Sequence, residues 1–411
     1  MILFEEAKAR ILEVSRPLGK QEVKLGKLQG SYLAEPVAAT SDLPAFDSSA
    51  VDGYGVHSLD LSAASALQPA KLKLCGVIQA GDSGALKLSP GNTIKILTGA
   101  PVPPTVCAVV MKEFCEEQNG SILVKQPAGA GDNIRRRGEE YKYGQEILPR
   151  GARITPPVVG LLATLGFSSF PTYVKPRVAV VATGNELARP GRLLAPGQVY
   201  DSNSYALVAA ARELGIEVCR TFVARDDADA TRNAIKQAIR ETDVIITAGG
   251  VSVGDFDIVR DVLEECGVKE VFWRIAIKPG KPVYFGTVET KAGRKHKLVF
   301  GLPGNPVSAL VTFHQLVAPA LLKIMGASSC CTPVLSAKLT GAVRGRSGRM
   351  EFTRGILSFQ DGELLVQPAV GQDSHMLGGL SLANCVIYCP ADRELLAPGD
   401  EVVVQLLSWS F

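Results

Sequence analysis

The sequence predicts a multidomain chain of α/β and β architecture. A doubly wound α/β segment lies at the centre, a β-rich region precedes it and a small all-β domain follows it. Three observations carry this reading. The chain has 411 residues, too many for one hydrophobic core and enough for two to four domains. From Arg177 to Gly326 apolar runs alternate with helical patterns, the mark of parallel strands joined by crossover helices. On both sides of that segment the apolar runs are short and are separated by turn residues.

Residues 3 to 16 place Phe4, Ala7, Ile11 and Val14 on one helical face. Between residues 70 and 126 the runs "KLKLCGVI", "TIKILTG", "AVVMKEF" and "SILVKQP" predict strands. "PPVVGLLATLGF" predicts a helix with proline in its first turn and Gly166 near its end. In the central segment "VAVVAT" predicts a buried strand. "DSNSYALVAAARELG" predicts a helix capped by Asp201, Ser202 or Asn203 and ended by Gly215. "EVCRTFVA" predicts a strand, Asp226 or Asp227 caps a helix to about Glu241, and "DVIITA" predicts the next strand. The loop "GGVSVGDFD", residues 249–257, leads into a helix ending near Gly267. "EVFWRIAI", "PVYFGTV" and "KLVFGLP" predict further strands, and Pro306 opens the long helix "PVSALVTFHQLVAPALLKIMG". "VLSAKLTG", "MEFTRGILSF", "ELLVQPAV", "NCVIYCP" and "EVVVQLL" predict the strands of the last domain.

Composition narrows the function. Hydrophobic residues make up 46% of the chain and charged residues 21%, as in a folded soluble protein. A net charge of +3 demands neither nucleic acid nor an acidic membrane as partner. No apolar run reaches the length of a membrane span, and the N-terminus lacks the pattern of a secretory signal. Nine cysteines without a C-x-x-C fit a reducing cytoplasm. Four histidines, none paired at ligand spacing, leave little for a zinc site or a Ser-His-Asp triad.

Ligands of doubly wound sheets bind beyond the carboxyl ends of the strands. There the sequence places "TGNEL" (183–187), Arg225-Asp226-Asp227, "GGVSVGDFD", "KPGKP" (278–282) and "GLPGNPVS" (301–308). Singly, each has an ordinary explanation: an aspartate can cap a helix and a glycine can permit a turn. Five such loops on one rim point to a ligand. Their charge is mixed. Lys278, Lys281 and the backbone N–H groups of Gly249 and Gly250 favour an anion. Glu186, Asp226 or Asp227, and Asp257 favour a cation. A magnesium–phosphate ligand reconciles the two, because magnesium takes one or two carboxylates and fills its shell with phosphate oxygens and water. Earlier, "DLPAFDSSAVDGYGV" carries Asp42, Asp47 and Asp52, "LTGAPVPP" carries Thr98, and "NIRRRGEE" carries Arg135, Arg136, Arg137, Glu139 and Glu140.

Together, "FDSSAVDGYGV", "ILTGAPVP", "NIRRRGEE", "ATGNEL", "GGVSVGDFD", "IKPGKP" and "GLPGNPVS" resemble, in order and spacing, the molybdopterin molybdenumtransferases. These are the bacterial MoeA proteins and the similar E domains of gephyrin and its plant counterpart. The resemblance spans essentially the whole chain. It implies an N-terminal region over 1–170 with two subdomains, one discontinuous and one β-rich at about 45–140. It implies a pterin-binding α/β domain over 175–326 and a β-barrel over 333–411. It also implies a homodimer whose active cleft joins the α/β domain of one subunit to the β-rich domain of the other. The implied reaction takes adenylylated molybdopterin and molybdate, cleaves the pyrophosphate bond with magnesium, releases AMP and leaves molybdenum on the dithiolene.

By motif position, Lys278, Lys281, Pro282 and Ser308 resemble the family's molybdate or phosphate pocket, and Arg354 and Ser374 join it from the last domain. Gly249, Gly250, Ser252 and Pro303 are expected among the cofactor-binding residues. Glu186, Asp226 or Asp227, and Asp257 match acids of the pterin–nucleotide cleft, with Asp226, Asp227 and Asp257 expected at the metal. Asp52, Thr98, Arg137 and Glu140 match the cross-subunit side. Asp52 and Asp257 are expected to position metal or water, and Lys278 and Lys281 to stabilise charge. Glu140 and Asn185 stand where relatives often have Asp, so Asn185 is not expected at the metal. The implied partners are molybdopterin adenylyltransferase and molybdoenzyme apoproteins, in transient contact, with no nucleic acid and no membrane. Competing readings are an adenylyltransferase consuming ATP, a peptide-binding scaffold of the gephyrin type, and a nucleotide- or sugar-binding protein without turnover.

Overall fold

In the computed structural model, which describes residues 1–60, 64–224, 227–250, 258–289 and 296–407, the run Val178–Thr183 is buried at every position, as a strand covered on both faces must be. It lies second in a six-stranded sheet of order Val218–Ala224, Val178–Thr183, Val244–Ala248, His296–Leu302, Tyr284–Glu289, Lys269–Trp273. The first four strands are mutually parallel. Tyr284–Glu289 alone runs against the others, antiparallel to both of its neighbours, so the sheet is mixed rather than wholly parallel. The connection over residues 290–295 is too short for the crossover that a parallel neighbour needs. The strand expected over "EVFWRIAI" stops at Trp273, where Arg274 takes φ 70°; a residue in that region cannot continue a strand.

Alternate residues feed two cores. Val178, Val180, Val244 and Ile246 face one, with Leu207 and Ala210 from helix Asn203–Glu213 and the helical residues from Val307 to Ile324. Ala179, Val181 and Ile245 face the other, with Ile235 from helix Ala228–Glu241 and Val259, Val262 and Leu263 from helix Ile258–Glu265. Helices on both faces make the segment doubly wound. The first core also takes Phe4, Ala7 and Ile11 from helix Phe4–Val14. By length and composition Pro306–Ile324 is a helix long and apolar enough to cross a membrane, which the sequence reading did not register. It serves as a core helix, with 83% of its apolar window buried.

The chain divides into two compact units, Met1–Glu35, Arg150–Val159 and Ser168–Phe411 in the first, Pro36–Pro149 and Gly160–Phe167 in the second. Within the first unit, strands Val334–Leu339, Met350–Gln360, Glu363–Pro368, Cys385–Cys389 and Glu401–Leu406 close into a barrel, because Met350–Gln360 pairs with both Glu363–Pro368 and Cys385–Cys389. The two-residue strand Ile277–Lys278 adds parallel to the start of Met350–Gln360, setting Lys278 opposite Glu351. Within the second unit a six-stranded sheet runs Ala108–Met111, Gly53–Val56, Asn92–Ile96, Ala70–Ile78, Ser121–Val124, Cys115–Gln118. Val109 packs on one of its faces while Ala108 and Val110 pack on the other, the period-2 alternation of a sheet with two cores.

Candidate functional site

Two cavities adjoin on the first unit. One, of about 520 Å³, lies where the loop from Lys278 to Pro282 meets the barrel. Lys278, Lys281, Pro282, Pro303, Ser308 and Ser374 all line it. Sequence reasoning missed four charged lining residues, Arg344, Arg349, Glu351 and Asp373. Four basic side chains against two acidic ones give its wall an excess of positive charge, the sign that suits an anion. The three arginines spaced through "VRGRSGRM" were the available signal, but only the strand register turns Arg349 and Glu351 towards Lys278. Glu351 is 4% exposed. It accepts from Arg349 Nε at 2.8 Å and pairs with Lys278 Nζ at 3.3 Å.

Gly280 explains the glycine of "KPGKP". Its φ is 104°, and a Cβ there would lie 2.3 Å from Thr312 Cγ2. Ser374 is fixed by Asn305, whose Nδ2 donates to its hydroxyl at 2.8 Å, and its carbonyl accepts from Val307 N–H at 3.2 Å. Arg354, expected in this pocket, stands behind its wall. It does not line the cavity and is 1% exposed. Its guanidinium donates to the carbonyls of Gly371 and Asp373, so it holds the Ser374 loop from behind. The residue type suits an oxyanion, but alternation sets Arg354 with Phe352 on the strand face turned away from the barrel interior, and its two terminal nitrogens are spent on backbone carbonyls.

The second cavity, of about 720 Å³, lies beyond the carboxyl ends of the parallel strands and shares Pro282, Pro303 and Asn305 with the first. Gly249 and Gly250 form part of its wall, with φ 94° and 64°. A Cβ on Gly250 would meet Val259 Cγ2 at 2.3 Å and one on Gly249 would meet Thr183 O at 2.7 Å, so only glycine fits at either position. Glu186 lines this cavity with an exposed carboxylate, and Asp201 is buried there, accepting from Ser204 N–H at 2.9 Å as the cap of its helix. Thr183 Oγ1 and Asn203 Oδ1 are buried and have no hydrogen-bond partner among the described residues. His375 also lines this cavity and was not singled out in the sequence, where Thr183 stood only in the strand-end motif and Asn203 only as a cap candidate.

Asp227 lines neither cavity. Its carboxylate accepts from Ala230 N–H at 2.9 Å and caps helix Ala228–Glu241, the ordinary role of an aspartate before a helix. Asp226, Ser252, Asp255 and Asp257 lie outside the described residues. Among the described residues no three His, Cys, Asp or Glu side chains cluster to hold a metal.

The remaining expected residues belong to the second unit. Asp52 accepts from Thr98 N–H at 2.9 Å and Thr98 Oγ1 at 2.8 Å, with Lys112 Nζ at 3.5 Å. The two Thr98 donors, then Lys112, hold its carboxyl below the usual range. Arg137 donates to Asp42 at 2.7 Å through Nε and to Asp47 at 2.8 Å through its N–H. Glu140 N–H donates to Leu43 O, and its side chain is exposed.

Comparison with known proteins agrees over the full length. The MoeA N-terminal region (domain I and II) matches residues 2–166, a probable molybdopterin binding domain matches 179–323, and the MoeA C-terminal region (domain IV) matches 336–407. A molybdopterin molybdenumtransferase 2 of Mycobacterium tuberculosis is 38% identical over 96% of this chain and 96% of its own. A molybdopterin molybdenumtransferase of Haemophilus influenzae is 34% identical over 98% of each. The crystal structure of a molybdopterin biosynthesis moea protein from Pyrococcus horikosii superposes with a TM-score of 0.79 at 34% identity, covering 99% of both chains. The sheet with its glycine-floored cavity, the barrel that completes the cationic one and these full-length likenesses agree: the chain belongs to the molybdopterin molybdenumtransferase family.

Proposed function

We propose that this enzyme inserts molybdate into adenylylated molybdopterin, cleaving the pyrophosphate bond and releasing AMP. The adjacency of the two cavities supports this most directly: a cationic one and a glycine-walled one share Pro282, Pro303 and Asn305. An oxyanion in the first would lie beside a phosphorylated ligand in the second. Lys278 and Lys281 supply fixed positive charge, and Ser308 and Ser374 supply hydroxyl donors of the kind a tetrahedral dianion needs. Thr183 Oγ1 and Asn203 Oδ1 offer buried polar atoms to the ligand of the larger cavity.

Magnesium would be held by the exposed carboxylate of Glu186 and by Asp201, whose Oδ1 already accepts from Ser204 N–H. When bound it neutralises phosphoryl oxygens and makes a bound water more acidic. Asp257 remains assigned to positioning the attacking water and Asp226 to the metal. Asp52 remains assigned to the same chemistry from the second unit, which in a homodimer would come from the other subunit. In this assignment Thr98 orients Asp52, and Arg137 and Glu140 flank the cross-subunit side. We also assign the enzyme to the cytoplasm, where free thiols persist and where molybdopterin adenylyltransferase and apo-molybdoenzymes would meet it; all nine cysteines are unpaired.

The test is AMP release from adenylylated molybdopterin against molybdate and magnesium. Asp257→Ala should suppress release while the protein remains folded, and Lys281→Ala should weaken the molybdate dependence. Normal turnover by a folded Asp257→Ala protein removes its assignment, and an unchanged molybdate titration in Lys281→Ala removes that of the cationic cavity. Release of pyrophosphate from ATP and molybdopterin would instead favour the adenylyltransferase reading.

A further inference from the structure

We infer that Glu351 is a positioning residue of the oxyanion cavity, one that aims Lys278 and Arg349 at the anion. A carboxylate in the wall of an anion site is at first sight unfavourable, since it repels the ligand. Burial makes it costlier still, because the carboxylate loses its water. The geometry accounts for it. Parallel pairing of Ile277–Lys278 with Met350 and Glu351 puts Glu351 directly opposite Lys278. Its side chain is 5% exposed, whereas that of Lys278 is 56% exposed and that of Arg349 is 28% exposed. One carboxylate oxygen takes both Arg349 Nε and the terminal nitrogen, at 2.8 and 2.7 Å. The other faces Lys278 Nζ at 3.3 Å.

The buried group is therefore the anchor, and the two cations are held by it at the cavity wall. Arg349 and Lys281 also line a smaller adjoining cavity with Arg346, so the position of Arg349 sets the partition between the two spaces. A free lysine samples many rotamers and must be ordered when the anion binds, at an entropic cost. Ordering it beforehand transfers that cost to folding, which is the benefit of preorganisation.

The inference rests on the molybdate site proposed above, and it makes a prediction opposite in sign to simple electrostatics. Replacing Glu351 by glutamine removes a negative charge from an anion site, and charge alone would tighten binding. Loss of positioning weakens it. Molybdate binding by the full chain is measured by titration calorimetry, and the KM values for molybdate and adenylylated molybdopterin are measured by AMP release. For Glu351→Gln we expect the molybdate Kd and KM to rise about tenfold, the change for one charge-assisted contact, with the KM for adenylylated molybdopterin unchanged. Glu351→Asp, which keeps the charge one methylene short, should recover part of that loss. Equal or tighter molybdate binding by Glu351→Gln overturns the inference, as does an equal rise in both KM values. Should the glutamine variant not fold, Glu351→Asp carries the test: a selective rise in the molybdate KM supports the inference and an unchanged one overturns it. Absence of molybdate binding by the unaltered protein would instead overturn the parent reading.

Discussion

Gly280→Ala probes the wall of the oxyanion cavity with a single methyl group. At φ 104° an alanine is strained whatever space surrounds it, by about 1–2 kcal/mol. The added Cβ would also lie 2.3 Å from Thr312 Cγ2 and 3.3 Å from Ile277 Cδ1, where ordinary contact begins at 3.4 Å. Thr312 is fully buried, and its hydroxyl donates to Ser308 O at 2.7 Å. It cannot swing its methyl aside without breaking that bond. Overpacking of this kind costs about 1–3 kcal/mol, so the total destabilisation is about 2–5 kcal/mol. Urea unfolding followed by far-ultraviolet circular dichroism and tryptophan fluorescence measures it.

Thr312→Ser removes Cγ2 and keeps the hydroxyl. In the double variant the steric share should disappear and about 1–2 kcal/mol of backbone strain should remain. The coupling between the two changes should exceed about 1 kcal/mol. Strict additivity, or a Gly280→Ala protein within about 0.5 kcal/mol of the parent, would refute the close-approach argument. The same displacement should weaken molybdate binding, because Gly280 lies between Lys278 and Lys281 in the loop that lines the cavity.

Burial pulls the His314 imidazole from 6.5 down to about 4. As pH falls below 6.5 the unfolded chain takes up a proton that the folded chain refuses, so stability should fall by about 2 kcal/mol between pH 7 and pH 5; His314→Phe should flatten that part of the urea-midpoint profile. Asp227→Ala should cost about 1 kcal/mol through loss of the helix cap and leave the magnesium titration unchanged; a raised magnesium requirement would return Asp227 to the metal. Thr98→Val removes a hydroxyl that holds the Asp52 carboxyl low. If Asp52 works ionised, the acid limb of the pH–rate profile should move to higher pH, and an unmoved limb separates Asp52 from the rate.

The sequence carried the architecture because the information for it is local. Val178–Thr183 and Val244–Ala248 read as buried strands because every residue is apolar or small, and the barrel strands were bounded by visible turn residues. The direction of Tyr284–Glu289 depends on how short a connection is, which a list of strands does not weigh. Site residues divide in the same way. Lys278, Lys281, Ser308, Gly249 and Gly250 lie in compact motifs at strand ends, where composition announces a ligand. Arg349 and Glu351 acquire their role only through the pairing of residues more than seventy positions apart in the chain. Arg354 shows the converse case. Its residue type suits an oxyanion, but strand alternation buries it on the face it shares with Phe352, and type alone does not reveal a facing.

That buried arginine bears on why the barrel belongs to the enzyme at all. The glycine-walled cavity is built almost wholly from the α/β segment, with His375 the sole lining residue from beyond Gly326 among the described residues. The cationic cavity is different: the α/β segment supplies Lys278, Lys281 and Ser308, while the barrel region supplies Arg344, Arg349, Glu351 and Ser374. Arg354 fastens the Ser374 loop, and Asn305 fastens Ser374 in turn to the opening of the core helix. Asn305 lines both cavities, so a displacement of the barrel loop would reach both. Under the proposed reaction, oxyanion affinity should be the property most sensitive to barrel substitutions that leave the α/β segment untouched. Arg354→Lys gives the sharpest case. Lysine keeps the charge but lacks the fork that spans the carbonyls of Gly371 and Asp373. The Ser374 loop should loosen, and molybdate affinity should fall although no cavity-lining residue has changed. Retained affinity with a loosened loop, read by hydrogen exchange at residues 371–375, would mean that Ser374 is not needed by the anion.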